Sequence, residues 1–240
     1  MDSNGTPTVK WTFMGRVEYS EGLSLQRKLI SKLIEHPESG SGYLLLVEHP
    51  PVITIGRFSD SGNLLLGEDE IRRRGVEVAR IERGGDVTYH GPGQLVGYPI
   101  ISLRDFRLGA KDYVHKLEDV LIRLLERYGI KGQRQQGYPG AWVGSDKVAA
   151  IGVYVKRWVT MHGFALNVNT DMTHFDMIVP CGLKHYGVTS IEKLTRSEVP
   201  LRDTAVAFAG HFGELFGASM QWRSSIGNIR GGETAGCSPV

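Results

Sequence analysis

The apolar pattern of this chain switches irregularly between the two-residue repeat of strands and the three-to-four-residue repeat of helices, and that limits the folds open to it. Over residues 23–34, Leu23, Leu29, Ile30, Leu33 and Ile34 fall largely on one helical face, with Gln26, Arg27 and Lys32 elsewhere. Residues 111–128 carry the stripe Tyr113, Leu117, Val120, Leu121, Leu124, Leu125 and Tyr128, with Gly129 as a stop. A third helix is expected over 202–216, turning Val206, Ala209, Phe212 and Phe216 inward, and a short one over 68–74. Strand-like runs occupy 43–48, 52–56, 76–81 and 94–101. Residues 147–155 and 159–168 read as a hairpin turning near Lys156-Arg157-Trp158, and Pro50-Pro51 separates the first two strands. Several strands follow one another directly and no βαβ period repeats. This predicts an α+β sandwich of mixed β-sheet and helices, in place of a doubly wound sheet. No linker composition interrupts residues 9–223, which predicts a single domain with loosely ordered tails at 1–8 and 224–240.

Charge and cysteine content exclude several function classes. Twenty-eight Lys and Arg against 26 Asp and Glu leave a formal charge of +2, too balanced for nucleic-acid binding by bulk charge. No apolar run approaches the roughly 20 residues that span a bilayer. Residues 1–10 are polar, unlike a signal or transit peptide, so a cytoplasmic location without membrane attachment is expected. Cys181 and Cys237 are too few for a disulfide framework, and neither they nor the eight histidines show metal-ligand spacing; no metal is expected. The 31 glycines exceed the usual share of about 7 %. They cluster without a period, which suggests loops that approach a ligand.

Three segments suit chemistry better than packing. In Arg83-Gly84-Gly85-Asp86-Val87-Thr88-Tyr89-His90, continuing Gly91-Pro92-Gly93-Gln94, paired glycines let backbone N–H groups approach a ligand, and Arg83 and His90 add donors. The alternative is a glycine-rich hairpin with a solvated arginine. No GxGxxG pattern or phosphate-loop lysine is present to support a nucleotide loop. In the second segment Lys147 opens the apolar run Val148 to Gly152, followed by Met161-His162-Gly163-Phe164-Ala165-Leu166-Asn167-Val168-Asn169. A lysine at a strand start either points to solvent or, desolvated beside a thiol, serves as base or cation. Asn167 and Asn169 alternate with Val168 on one strand face, and His162 and Asn167 are candidate supporting groups. In Ile178-Val179-Pro180-Cys181-Gly182-Leu183, the thiol is either buried and inert or a nucleophile whose approach Pro180 fixes and whose N–H Gly182 leaves accessible.

Together these segments resemble the octanoyltransferase family of protein lipoylation, relatives of the lipoate and biotin protein ligases. The stretches that carry the likeness are LLLVEHPPVITIGR (44–57), RGGDVTYHGPGQLVGYP (83–99), KVAAIGV (147–153), HGFALNVN (162–169) and VPCGL (179–183). The resemblance implies the fold of the lipoate/biotin protein ligase catalytic domain. It also implies an acyltransferase in which Cys181 is the thioester nucleophile and Lys147 lowers the pKa of that cysteine. Residues 83–90, Ala150, Ile151, Gly152, Gly163, Phe164 and Ala165 would line the acyl site. The implied reaction moves an octanoyl, and also a lipoyl, group from the phosphopantetheine of acyl carrier protein to a lysine of lipoyl domains. Those acceptors are the E2 subunits of 2-oxoacid dehydrogenases and the glycine cleavage H protein. No further cofactor is implied, and the enzyme is expected to be a monomer. An ATP-dependent lipoate–protein ligase would not need the cysteine, and a non-catalytic acyl or carrier-protein binding module would not need Cys181 and Lys147 together. Carrier proteins of the implied kind are acidic, making Arg72, Arg73, Arg74, Lys156 and Arg157 candidate docking charges.

Overall fold

Burial on two faces at once explains the near-continuous apolar run of the second strand, and this strand sits at the heart of the architecture. The computed structural model describes residues 5–37, 41–57, 63–179, 186–227 and 229–230. Its main sheet contains β1 (Thr8–Arg16), β2 (Ser41–Glu48), β6 (Gln94–Ile100), β7 (Gln133–Gln135), β8 (Tyr138–Val143), β9 (Asp146–Lys156), β10 (Val159–Asn167), β11 (Gly187–Val188) and β12 (Ser219–Trp222). The strand order is β12-β1-β2-β6-β10-β9-β8-β7, with β11 also paired to β9. β12, β1 and β2 run parallel, β2 through β7 pair antiparallel, and β11 joins β9 in parallel. A second sheet of β3 (Val52–Ile55), β4 (Glu77–Arg80) and β5 (Val87–His90) has the order β4-β3-β5, and β13 (Ser225–Ile226) pairs with β14 (Ile229–Arg230).

Successive side chains of a strand point to opposite faces, so one strand can serve two cores. On β2, Leu44 and Leu46 join one core while Tyr43, Leu45 and Val47 join the other; on β6, Leu95 faces the first and Val96, Tyr98 and Ile100 the second. The first core is closed by α3 (Ala110–Glu126) and α5 (Leu201–Phe216), through Tyr113, Leu117, Val120, Leu121, Leu124 and Leu125 and through Phe208, Ala209, Phe212 and Phe216. The second is closed by α1 (Tyr19–Glu35) through Leu25, Leu29, Ile30 and Leu33. Each such leucine or phenylalanine contributes about 1.5–3 kcal/mol by leaving water. The small sheet has its own core, in which Ile53, Val87 and Tyr89 meet Ile71 of α2 (Glu68–Arg73) and Phe175 and Met177 of a 3-10 segment, Met172–Met177. A short α4 (Ile191–Thr195), capped by the Ser190 hydroxyl, follows β11.

The expected α+β sandwich is the observed architecture, and the 147–168 hairpin turns through Arg157 and Trp158, both at positive φ. Three expectations need correction. Val206 is 44 % exposed, because α5 buries a stripe through Ala205, Phe208, Ala209, Phe212 and Phe216 that is rotated from the one expected. Gln26 is fully buried in α1 because its side-chain oxygen accepts a hydrogen bond from the His162 N–H at 2.9 Å. Order also extends past the expected domain boundaries. Thr8 opens β1 and is buried, Ser219 N–H donates to the Pro7 carbonyl, and Ile226 is buried in the β13–β14 pair. Among the described residues no helix is long and apolar enough to cross a membrane.

Phe208 ties α5 to the sheet, its ring stacked 4.2 Å from that of Phe164 on β10. Phe208→Ala is expected to cost about 3–5 kcal/mol by cavity formation. Urea unfolding should show a lower midpoint with an unchanged slope; a midpoint within error of the parent would contradict this packing role.

Candidate active site

A narrow cleft of about 50 Å³ lies where the small sheet meets the α1 face of the large one. Its floor is formed by Val96 and Tyr98 of β6, Ala150, Ile151 and Gly152 of β9, and His162, Gly163, Phe164 and Ala165 of β10. Its roof is the segment Arg83, Gly85, Asp86, Val87, Thr88 and His90, with Tyr19 of α1 at the side. Glycines carve the trough. Gly152 lies opposite Gly163 across β9 and β10, and Gly97 lies opposite Phe164 across β6 and β10. A Cβ on Gly163 would stand 2.1 Å from the Gly97 carbonyl oxygen, so β10 can approach β6 this closely only with glycine there.

His162 has φ +58°, unusual for a side-chain-bearing residue inside a strand. Continuing the β6–β10 register beyond Phe164–Gly97 sets it against Pro99, which has no N–H to donate. The ladder therefore breaks. The Thr160 hydroxyl bridges the gap, donating to the Pro99 carbonyl at 2.7 Å and accepting from Ile101 N–H at 3.0 Å. The His162 N–H turns to Gln26 instead, and its buried Nε2 has no hydrogen-bond partner among the described residues.

The roof is fixed by bonds to both sheets. Gly84 N–H donates to the Val153 carbonyl, Gly56 N–H to Asp86, and Arg57 N–H to Arg83. The Arg83 guanidinium is buried and donates to the Thr54 carbonyl at 2.8 Å and to its hydroxyl. Asn63 donates to the Asp86 carboxylate. Behind the cleft, His49 Nδ1 donates to the Val17 carbonyl at 2.6 Å, so its Nε2 accepts from the Tyr98 hydroxyl at 2.7 Å. His90 Nδ1 donates to Gln94 at 2.8 Å, the Gln94 amide donates to Asn167 at 2.9 Å, and the Asn167 amide donates to the Thr189 carbonyl at 3.0 Å. Tyr19 stacks on His90 with ring centroids 6.0 Å apart. Burial disfavours the charged form of every one of these rings. It holds His49 at about 4, His90 at about 3 and His162 at about 4, and it pushes the Tyr19 and Tyr98 hydroxyls well up. The cleft walls are therefore neutral at physiological pH, apart from Arg83 and Asp86.

A smaller cavity adjoins the cleft through a shared wall of Thr88, Ala150 and Ala165, and it contains Lys147, Gln94, Asn167, Phe175 and Val188. Lys147 does not point to open solvent; it is 7 % exposed. Its strand position lies between Trp142 of β8 and Val188 of β11, and its ammonium sits 4.7 Å from the Trp142 ring centroid, within cation–π range. Thr189 N–H donates to the Lys147 carbonyl.

Most of the site residues expected from sequence thus converge. Two do not line the cleft. Tyr89 is turned the other way by the two-residue period of β5 and stacks on His174 at 4.9 Å, while Gly84 is spent on the bond to Val153. Of the paired amides, Asn167 joins the network, but Asn169 clips Val199, donating to its carbonyl at 2.7 Å and accepting from its N–H at 3.0 Å. Cys181 lies outside the described residues, as does Cys237. The sequence reading missed Tyr19, Val96 and Tyr98 in the cleft wall and His49 behind it. Val96 and Tyr98 carried a signal, since they fall within the glycine-rich stretch ending at Pro99, and His49 falls within the 44–57 stretch; Tyr19 had none. Among the described residues no group of three or more His, Cys, Asp or Glu could hold a metal.

Residues 18–213 match the family described as the lipoyl protein ligase A/B catalytic domain. The chain is similar to an octanoyltransferase of Caldicellulosiruptor bescii, 48 % identical over 210 residues that span 87 % of this chain and 91 % of the relative. Its fold is similar to that of a bipartite lipoate protein ligase from Thermoplasma acidophilum, with a TM-score of 0.71 at 14 % identity, covering 90 % of this chain and 86 % of that one. It is also similar to biotin protein ligase from Aquifex aeolicus in complex with biotin and ATP, with a TM-score of 0.51 at 12 % identity, covering 88 % and 70 %.

Three histidines kept neutral by burial make stability pH-dependent. Each folded-state value lies below the ordinary 6.5. As pH falls through 6.5 the unfolded chain therefore takes up protons that the folded chain cannot, and stability drops until pH reaches about 4 for His49 and His162 and about 3 for His90. Urea midpoints measured from pH 7.5 to 4.5 should decline from about pH 6.5, above the carboxylate range, by on the order of a few kcal/mol in total. A flat profile between pH 7 and 5 would refute the neutral cluster.

Proposed function

The chain belongs to the lipoyl protein ligase A/B catalytic family and, within it, to the octanoyltransferases, and we propose that it transfers an octanoyl group from acyl carrier protein to a lysine of lipoyl domains through a thioester on Cys181. The observation that carries this reading is Lys147, a buried cation separated from the glycine-lined cleft by a shared wall of Thr88, Ala150 and Ala165. The VPCGL segment rejoins the described structure at Tyr186, whose ring packs 5.1 Å from Trp142, and then at β11, which pairs with Lys147 itself. The chain therefore enters Lys147's own strand pairing within a few residues of the cysteine.

In the proposed reaction the Cys181 thiolate attacks the carbonyl carbon of the octanoyl thioester. The bond to the phosphopantetheine sulfur breaks, and that thiolate leaves and takes up a proton. That proton comes from the Lys147 ammonium, which is left as a neutral amine. The ε-amine of the lipoyl-domain lysine then attacks the enzyme thioester, gives a proton to the neutral Lys147, and displaces the Cys181 thiolate to leave an amide. Thioester exchange is near balanced and amide formation is downhill, so no ATP is consumed. The ammonium of Lys147 favours the thiolate by charge. The eight-carbon chain gains about 0.8 kcal/mol for each buried CH₂ in the trough. E2 subunits and the glycine cleavage H protein are the proposed acceptors, and a cytoplasmic monomer the proposed working form.

Octanoyl carrier protein alone, without acceptor or ATP, should add one octanoyl group to the enzyme by intact mass. Cys181→Ser should abolish adduct and turnover, and Cys237→Ser neither. Substantial transfer by the Cys181→Ser form would make direct attack by the acceptor lysine the better mechanism, and a requirement for ATP would point to the ligase chemistry. Lys147→Ala should move the alkylation of Cys181 to higher pH; an unchanged profile removes its assigned role.

Ala165 and Ala150 face each other across β10 and β9 in the wall common to both cavities. Overfilling such a site costs about 1–3 kcal/mol. Ala165→Leu should therefore lower kcat/KM for octanoyl donors by roughly ten- to a hundredfold while butanoyl donors are far less affected. Equal losses for both chain lengths would show that this wall does not meet the acyl tail.

A further inference from the structure

A concavity larger than the acyl cleft lies elsewhere on the described surface. A groove of about 720 Å³ runs along the opposite flank of α1, between that helix and the β1–β13 edge. Its floor is apolar, made by Leu25, Leu29, Tyr43 and Ile226, and its rim is cationic, made by Lys10, Lys28, Lys32 and Arg223 with Glu21 as the one carboxylate. A second depression, lined by Ser20, Ser24, Arg27, Lys28, Ser31 and Lys32 with Glu35 as its one carboxylate, extends it along the helix.

The rim charges are uncommitted. Among the described residues Lys10, Lys28 and Lys32 form no ion pair, and Arg223 bonds only the Gln221 side chain and the Trp222 carbonyl. Of the charges singled out from sequence, Lys156 and Arg157 likewise form no ion pair among the described residues, whereas Arg72, Arg73 and Arg74 behave differently. Arg72 pairs with Glu68 and Asp69, and Arg73 and Arg74 pair with Glu70, so that cluster neutralises itself. Lys28 and Lys32 stand one helical turn apart, a spacing that matches carboxylates one turn apart on a partner helix. The groove also shares its wall with the acyl cleft. Tyr19 and Gln26 of α1 serve the cleft, while Ser20, Ser24, Leu25 and Lys28 of the same helix serve the groove.

We propose that this groove docks the acidic carrier protein that delivers the octanoyl group. The inference rests on the octanoyl-transfer reading and names which of the two protein substrates sits here. Residues 20–32 extend about 18 Å along the helix axis. The donor presents its acyl chain on a long flexible arm, so its body need not sit at the cleft mouth. The acceptor presents only a lysine side chain and must bring its domain to the cleft mouth. A bilayer is disfavoured by the same geometry, because the apolar floor lies below the charged rim and the exposed large apolar side chains Leu65, Trp158, Leu194 and Val206 line neither depression.

The test is the full-length double variant Lys28→Glu/Lys32→Glu, with two measurements. Binding of octanoyl carrier protein is titrated by fluorescence anisotropy at 50 and 300 mM salt, and acyl-enzyme formation is followed with that donor and with octanoyl-N-acetylcysteamine, which has no protein body. Carrier affinity should fall about tenfold or more at low salt and lose most of its salt dependence. Acylation by the small thioester and the KM for the lipoyl domain should stay within twofold of the parent. Unchanged carrier affinity overturns the proposal, as does a loss confined to the lipoyl domain. Co-sedimentation with phosphatidylglycerol vesicles that the variant abolishes, or a dimer that the variant dissociates, would overturn it in favour of those occupants. If neither donor acylates the parent enzyme, the octanoyl-transfer reading fails, and the anisotropy titration still decides whether the groove binds the carrier.

Discussion

Pro99 has no N–H to offer the strand beside it, and the site is organised around that gap. A central strand normally donates to both neighbours; where β6 cannot, β10 must satisfy its own backbone by other means. Thr160 does so with its hydroxyl on one side of the gap, and His162 does so by turning to positive φ and giving its N–H to Gln26. Gly163 then lets the two strands close without a Cβ striking the Gly97 carbonyl. The result is a depression in the middle of a sheet, at a place where side chains of ordinary size would fill the surface. Gln26 is buried in α1 for the same reason, so the break in the sheet also fixes where that helix lies against it.

A depression lined by polar rings accepts an apolar chain more readily where those rings are already satisfied. Those of His49, Tyr98 and His90 are, whereas the buried His162 Nε2 has no partner among the described residues. His49 and Tyr98 satisfy one another and the Val17 carbonyl, and His90 is the first member of a relay through Gln94 and Asn167 to Thr189. Unmet hydrogen-bonding groups would demand water and oppose an acyl chain; groups met internally present mostly carbon edges to it. The relay ends on the backbone of the residue after Val188, the partner of Lys147 in the β9–β11 pairing. The small sheet, the central strands and the segment leading out of VPCGL are thereby joined by a single line of hydrogen bonds.

The elements read most faithfully from sequence are those whose signal is local. All six of Tyr113, Leu117, Val120, Leu121, Leu124 and Leu125 are buried as their spacing implies, and the positive φ values at Arg157 and Trp158 fall at the expected turn. The glycine clusters were legible as ligand-approach segments because a glycine marks a place where a Cβ does not fit, whatever lies opposite. What lay opposite was not legible. Tyr19 reaches the cleft wall and His49 the layer behind it only through the packing of α1 and the end of β2 against the central strands. Nothing around Tyr19 in sequence distinguishes it, and His49 falls within the 44–57 stretch without being marked out there. Val206 and Gln26 misled for a related reason: hydropathy cannot tell which of two adjacent helical stripes faces a sheet, and it misplaces an amide whose partner is a single backbone N–H. Lys147 stood between two readings in sequence, and its burial over Trp142 removes the solvent-facing one.

The separation of Lys147 from the trough has a chemical consequence for the proposed mechanism. A thiolate needs a nearby cation, whereas an acyl tail needs surroundings without one, and a single cavity could not serve both without compromise. Here Thr88, Ala150 and Ala165 stand between the two environments, so the charge that favours the nucleophile is held against an aromatic face rather than in the acyl channel. Arg83 lines the roof of the trough, with its guanidinium held by hydrogen bonds to the Thr54 carbonyl and hydroxyl. The acyl carbonyl would then be the one polar atom of the substrate's acyl part, and it would lie at the boundary where the two cavities meet. Chain-length selection and nucleophile activation become properties of different residues, and each can change without disturbing the other.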